Sequence, residues 1–419
     1  MIADFLLFVK GIFYFPLFFR VGIAVPGFSE KKSVDKSGKN VYNRENKKKR
    51  GVCMEQTYRF AAGVTVLPDD LREEICQELG NFGGLGISLP ELDCRAPQFA
   101  ALLENTREQL REVLNVPQNY RVLLMSGGAA AQYAAVPLNL LSEHRFADYL
   151  LTGQYARRAY QEAKKFGDIA IAASSGGATP PFSSIPTVEK SAFRPDTDYV
   201  FYRANDDIYG TRFTAVPDTG NLPLAVDLTG CFLSESIDVS RFGLLFADTA
   251  NCLGAAGMAA VVVREDLVGH ERAGTPASLC YREIAEAETP ACLPSILSVA
   301  VANRVLGRIR EIGGVDELKR RCERKAVFLY DYLDSQQYYT VPVDIKYRSV
   351  TSVVFSTGSA RTDEQFAADA EKEGLLGLRG DASVGGLRAY LGNFLPYEGV
   401  KALVSFMRRF AMLHPHFTI

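Results

Sequence analysis

The chain has 419 residues, 47% of them apolar, enough for one large domain and a smaller one, each with its own core. A formal charge of −2 excludes a chain built as a whole to hold nucleic acid or an acidic membrane surface. The charge is uneven: residues 1–53 carry 11 Lys and Arg against 4 Asp and Glu, which leaves −9 over residues 54–419.

Residues 1–28 are rich in Phe, Leu and Ile, but Lys10, Pro16 and Arg20 interrupt them. No uncharged apolar run reaches the roughly 18 to 20 residues that span a bilayer, so no integral membrane span is expected. A secretory signal has a basic start, whereas here the start carries Asp4. Residues 29–50 are polar and lysine-rich, ending in Lys47-Lys48-Lys49-Arg50, a composition expected to be disordered. Two readings fit residues 1–53: a weak membrane-surface anchor, or an extension ahead of a natural start at Met54. The second is favoured, because folded-looking sequence begins at Met54 itself.

From Met54 onward, helices and strands alternate. Pro68-Asp69-Asp70 opens a helix with acids in its first turn and Leu71, Ile75 and Leu79 at four-residue spacing. Pro97 opens a second, with Phe99, Leu102, Leu103, Leu110, Val113 and Leu114 on its apolar side. Arg121–Met125 reads as a short buried strand, followed by Ser126-Gly127-Gly128 and an alanine-rich helix to Leu141. Further strands are expected at Tyr199–Tyr202, Leu224–Asp227, Leu244–Ala247 and Ala259–Val263, and long helices near 293–311 and 315–335. The pattern then changes to a strand at Ser349–Phe355, a helix at 363–373, a strand at Leu387–Leu391 and a closing helix at 397–412. The expected fold class is α/β. Residues 54–312 form a three-layer α/β/α domain with a mainly parallel sheet, and residues 313–419 a small α+β domain.

The eight cysteines are scattered, with no Cys-x-x-Cys pair, and the four histidines do not cluster with them. No metal site or disulfide framework is expected; reduced thiols in the cytoplasm are the better reading.

A strand, a glycine turn and a helix together offer free N–H groups to an anion, which alone is weak evidence. The order of further segments makes it specific. Arg59-Phe-Ala-Ala-Gly63, Gly83-Gly84-Leu-Gly86, Cys94-Arg95, Ser126-Gly-Gly128 and Ala134-Ala-Val-Pro-Leu-Asn-Leu-Leu141 come first. Tyr149, Gly153, Glu162-Ala-Lys-Lys165, Ile237-Asp-Val-Ser-Arg-Phe-Gly243, Val262–Leu267, Gly385-Gly386-Leu-Arg388 and Glu398–Leu403 follow. Together these resemble the phosphoserine aminotransferase family over essentially 54–419. The resemblance implies an aspartate-aminotransferase-like homodimer. It also implies pyridoxal phosphate held on a lysine, and amino transfer between glutamate and 3-phosphohydroxypyruvate.

On that resemblance Asn251 stands at the Schiff-base lysine position, and no lysine occurs from Ser191 to Leu318. An amide is neither a useful nucleophile nor a base, so it performs neither of the lysine's tasks. Asp227 matches the partner of the pyridine nitrogen, and Ala250 replaces a glutamine that touches the cofactor. Ala129 and Ala130 hold the glycine-loop positions, and Tyr155 replaces an aromatic that stacks on the ring. Asp207 replaces a threonine hydroxyl. Glu288, followed by Thr289, replaces an asparagine contributed across the dimer interface. A carboxylate about 5 Å from a phosphate repels it by several kcal/mol even at an effective dielectric of about 20. Arg95 and Arg388 match arginines that hold the substrate's anionic groups, but a His-Arg pair is replaced by Asp381-Ala382.

These changes imply a non-catalytic homologue acting as a binding, regulatory or partner subunit, with pyridoxal phosphate weak, non-covalent or absent. It would be a homodimer, or a heterodimer with an active paralogue, and a small anionic ligand is compatible with it; nucleic acid is not expected. The alternative is an active aminotransferase that uses pyridoxamine phosphate non-covalently or recruits Lys164 or Lys165. A third reading is another reaction in the same cleft, with Cys252, Asp227 and Arg388 as its groups.

Overall fold

The computed structural model describes residues 57–286 and 292–415. The leader of residues 1–53, and Glu288 and Thr289, lie outside the described residues.

Seven strands form the central sheet: β2 (Tyr120–Ser126), β3 (Phe146–Leu151), β4 (Asp168–Ser174), β5 (Tyr199–Arg203), β8 (Leu224–Asp227), β9 (Leu244–Asp248) and β10 (Met258–Arg264). Their order is β2-β10-β9-β8-β5-β3-β4. β10 is antiparallel to both its neighbours, and every other pairing in the sheet is parallel. The mainly parallel sheet is therefore as the sequence implies.

Alternation along the strands splits the buried side chains between two faces, as a period of two requires. Val122, Leu124, Val200, Tyr202, Val226, Leu245 and Val262 join one apolar cluster with helices α2 (Pro97–Val113) and α7 (Ile296–Glu311). Leu123, Met125, Tyr149, Phe201, Phe246, Val261 and Val263 join another with α3 (Gly128–Leu140) and α4 (Gln154–Ala163). The result is a three-layer α/β/α arrangement.

A third cluster gathers around β11 (Ser352–Phe355), antiparallel to β13 (Leu387–Tyr390), with helices α8 (Gly314–Asp334), α9 (Ala360–Lys372) and α10 (Tyr397–Leu413). Tyr58 and Phe60 belong to this cluster too, because β1 (Tyr58–Arg59) pairs in parallel with β12 (Leu375–Leu376). The start of the described chain therefore packs among the residues of its last hundred. Among the described residues no helix is long and apolar enough to cross a membrane.

Candidate functional site

The parallel strands all end at one edge of the sheet, the edge where open α/β sheets bind ligands. A cleft of about 380 Å³ lies there. Ala129 and Ala130 line it from the start of α3, and Tyr155 and Arg158 from the first turns of α4. Arg203 comes from the end of β5, Asp207 from just beyond, and Asp248 from the end of β9. Asn251, Asp381 and Arg388 also line it. The structure thus brings together most of the positions that the sequence singled out.

Asn251 sits on a one-turn helix, α5 (Ala250–Leu253), between β9 and β10. The turn is fixed by its backbone and by Thr249. The Thr249 hydroxyl donates to the carbonyl oxygens of Ala255 and Met258, at 2.8 and 3.0 Å, and the Leu253 N–H donates to Thr249 O at 2.7 Å. The side chain of residue 251 takes no part in these bonds. Ala250 is buried and does not line the cleft; its N–H donates to Asp248 Oδ1 at 2.9 Å. Cys252 is also buried and outside the cleft lining, and burial holds its thiol well above the ordinary value, which removes it as a candidate nucleophile.

The sequence reading missed Arg203. It is 3% exposed and wholly partnered. Nε donates to Asn205 O at 2.8 Å, Nη1 to Asp227 Oδ2 at 2.9 Å, and Nη2 to Asp207 Oδ2 at 3.0 Å. Its guanidinium carbon lies 4.3 Å from the centroid of the Tyr155 ring. Burial opposes the charge, but Asp227, Tyr133, Asp207 and Asp206 together keep the guanidinium protonated, its pKa above the usual arginine value. Asp227 is fully buried behind the cleft wall, and also accepts from the Tyr133 hydroxyl at 3.0 Å and the Thr229 N–H at 2.9 Å.

This network corrects the expectation for Asp207. Its carboxylate is not a bare charge facing the cleft: it accepts from Arg203 and from Asn205 Nδ2 at 2.9 Å. Burial nevertheless raises its pKa, with Arg203 and Arg388 pulling the other way. Asp206 is buried beside it and pushed up to about 6, chiefly by desolvation, and its Oδ2 has no hydrogen-bond partner.

Asp248 is a second residue the sequence did not reveal. Its Oδ2 accepts the Ala129 N–H at 3.2 Å, so the carboxylate lies against the start of α3. Gly128, at φ +64°, makes this approach possible, since a Cβ there would meet Asp248 Oδ2 at 2.3 Å.

At the outer end, Arg388 Nη1 donates to Asp207 O at 3.2 Å, and Asp381 lines the cleft beside it, whereas exposed Ala382 does not. Asp381 accepts from the Ser383 hydroxyl, which lowers its pKa first; Arg388 and Arg158 add to the lowering. Arg95 is exposed and does not line the cleft, because it stands in the loop that leads into α2. Lys164 and Lys165 do not line the cleft. They lie past the far end of α4, one over the Tyr160 ring and the other paired with Glu162. No lysine lines the cleft. Among the described residues no cluster of His, Cys, Asp or Glu is fit to hold a metal ion.

The Aminotransferase class-V family profile matches residues 57–384. The chain belongs to the class-V aminotransferases, with the fold-type I architecture of that group. The phosphoserine aminotransferase of Laribacter hongkongensis is 40% identical over 358 residues, covering 85% of this chain and 99% of that protein. That of Bacillus cereus (strain ATCC 10987 / NRS 248) is 35% identical over 359 residues, covering 86% and 99%. Among solved structures, phosphoserine aminotransferase from Bacillus circulans subsp. alkalophilus has a TM-score of 0.82 at 34% identity, covering 86% of this chain and 99% of that one. The PLP-bound enzyme from Trichomonas vaginalis has a TM-score of 0.79 at 29% identity, covering 84% and 100%. Within its class, the chain is a member of the phosphoserine aminotransferase family.

Proposed function

We propose that this chain is a phosphoserine aminotransferase homologue that does not catalyse transamination, and that serves as a binding, regulatory or partner subunit. The observation that carries this reading is Asn251. It lines a cleft that no lysine lines, and the family resemblance sets it at the position of the Schiff-base lysine. The amide cannot attack a carbonyl carbon, and at neutral pH it cannot accept and return a proton. Pyridoxal phosphate supplies the electron sink in this family. The cleft fits it poorly, because Arg203 and Asp248 already engage Asp227, Tyr155 and the start of α3. No catalytic step is derived through it.

The same reading takes residues 54–312 and 313–419 as the large and small domains, with β1 contributed to the small one. A cytoplasmic chain that pairs with itself or with an active paralogue completes it.

Purified protein incubated with pyridoxal phosphate, glutamate and 3-phosphohydroxypyruvate tests the proposal. The expected result is no 2-oxoglutarate above the uncatalysed rate and no adduct after borohydride. A band near roughly 410 nm that borohydride converts to a lysine adduct overturns it. Retention of Asp227, Tyr155 and Arg388 supports the alternative of an active enzyme using pyridoxamine phosphate non-covalently. Turnover without any adduct identifies that case.

A further inference from the structure

The geometry points to internal replacement of the cofactor: Arg203 and Asp248 occupy the contacts that belong to the two charged ends of pyridoxal phosphate. This inference rests on the reading just given and concerns the groups that would anchor the cofactor.

The ring end comes first. A pyridinium ring in this fold has two needs, an aromatic face to stack on and a carboxylate to accept its N–H. In this chain those groups are Tyr155 and Asp227, and Arg203 uses both. Its planar cation lies 4.3 Å from the Tyr155 centroid and donates to Asp227 Oδ2 at 2.9 Å. A guanidinium shares the pyridinium's plane, charge and N–H donor, so it satisfies the same pair of partners. Asp207 adds a further carboxylate at 3.0 Å, which secures the arginine.

The phosphate end is matched by a carboxylate. The start of a helix favours an anion through its free N–H groups and its dipole. At α3 that anion is Asp248, which accepts the Ala129 N–H and lies against Gly128. A phosphate brought to the same N–H would meet a fixed negative charge as well as an occupied donor. Cation and anion thus stand where the cofactor's own cation and anion would, supplied by the ends of β5 and β9. Asn251 is then not the sole obstacle. A lysine restored there would still face a cleft whose anchoring groups are taken.

Four proteins test this: the parent chain, Asn251→Lys, the set Arg203→Thr/Asp207→Thr/Asp248→Gly, and all four substitutions together. The set removes Arg203 together with Asp207, and Asp227 keeps the Tyr133 hydroxyl and the Thr229 N–H as its donors. Circular dichroism checks folding, equilibrium dialysis measures pyridoxal phosphate affinity, and absorbance after desalting measures retention. The set is expected to bind pyridoxal phosphate at least about tenfold more tightly than the parent. The four-site protein is expected to retain it through desalting, and Asn251→Lys alone to lose it. Stoichiometric retention by Asn251→Lys alone overturns the inference, as does equal affinity in the set and the parent.

If the set loses its fold, Asp248→Gly alone carries the test with inorganic phosphate as probe. About tenfold tighter phosphate binding than the parent is expected, and unchanged binding overturns the inference. A borohydride-stable adduct on the unaltered parent refutes the proposed function, whereas retention by Asn251→Lys alone refutes only the internal replacement.

Discussion

Arg203 Nη1 donates to Asp227 Oδ2 at 2.9 Å, with the arginine 3% exposed and the aspartate fully buried. Removing one member of such a pair strands the other charge away from water. Arg203→Ala is therefore expected to cost about 3–5 kcal/mol in urea denaturation, with about 1–2 kcal/mol recovered when Asp207→Ala is added. A loss below about 1 kcal/mol would show that the network does not hold this edge of the sheet together.

Asp206 gives a pH-dependent difference of predictable sign. Its folded pKa is raised from 3.8 to about 6, so the folded state holds a proton that the unfolded state releases between those values. Its contribution to stability is therefore full below about pH 4 and lost as pH rises through 6. Asp206→Asn removes that dependence. The variant is expected to gain about 1–3 kcal/mol over the parent at pH 7.5 and to lose that advantage near pH 4.5. A constant gap between the two proteins across that range would rule the assignment out.

Cys252 is expected to resist alkylation in the native protein, since its thiol is buried and its pKa raised. Exposed Cys76 and Cys94 provide internal controls. Mass spectrometry after brief iodoacetamide treatment should find both controls modified and Cys252 untouched. Modification of Cys252 at a comparable rate would revive it as a reactive group.

Gly127 precedes α3 at φ +100°, and a Cβ there would meet Ala131 Cβ at 2.7 Å. Gly127→Ala is expected to lower stability by about 1–3 kcal/mol. Thermal unfolding checks this, and an unchanged midpoint would mean that the turn relaxes without cost.

Much of the architecture was legible because its signals are local. The runs Leu244–Ala247 and Ala259–Val263 fall within β9 and β10, and the spacing of Leu71 and Ile75 falls within helix α1 (Asp69–Gly80). The segment holding β3, α4 and β4 gave no such reading. β4 is Asp-Ile-Ala-Ile-Ala-Ala-Ser, whose alanines give weak contrast, and it lies at the sheet's edge with a mixed burial pattern. Family resemblance placed Asn251, Asp207 and Arg388 near one another, and the cleft brings them together. Arg203 stayed hidden because nothing in Tyr-Arg-Ala-Asn shows that its side chain turns toward an aspartate 24 residues later. Asp248 was concealed for the same reason, since its partner Ala129 lies 119 residues away. Asp207 lines the cleft, and its electrostatic effect depends on Arg203, a neighbour that linear sequence does not display.

The turn between β9 and β10 is secured by Thr249 and by main-chain bonds, none of them made by the side chain of residue 251. Position 251 is consequently a socket whose contents can change while the scaffold stands. A substitution there is expected to cost folding little, and the same independence makes it a natural graft point for an engineered reactive group.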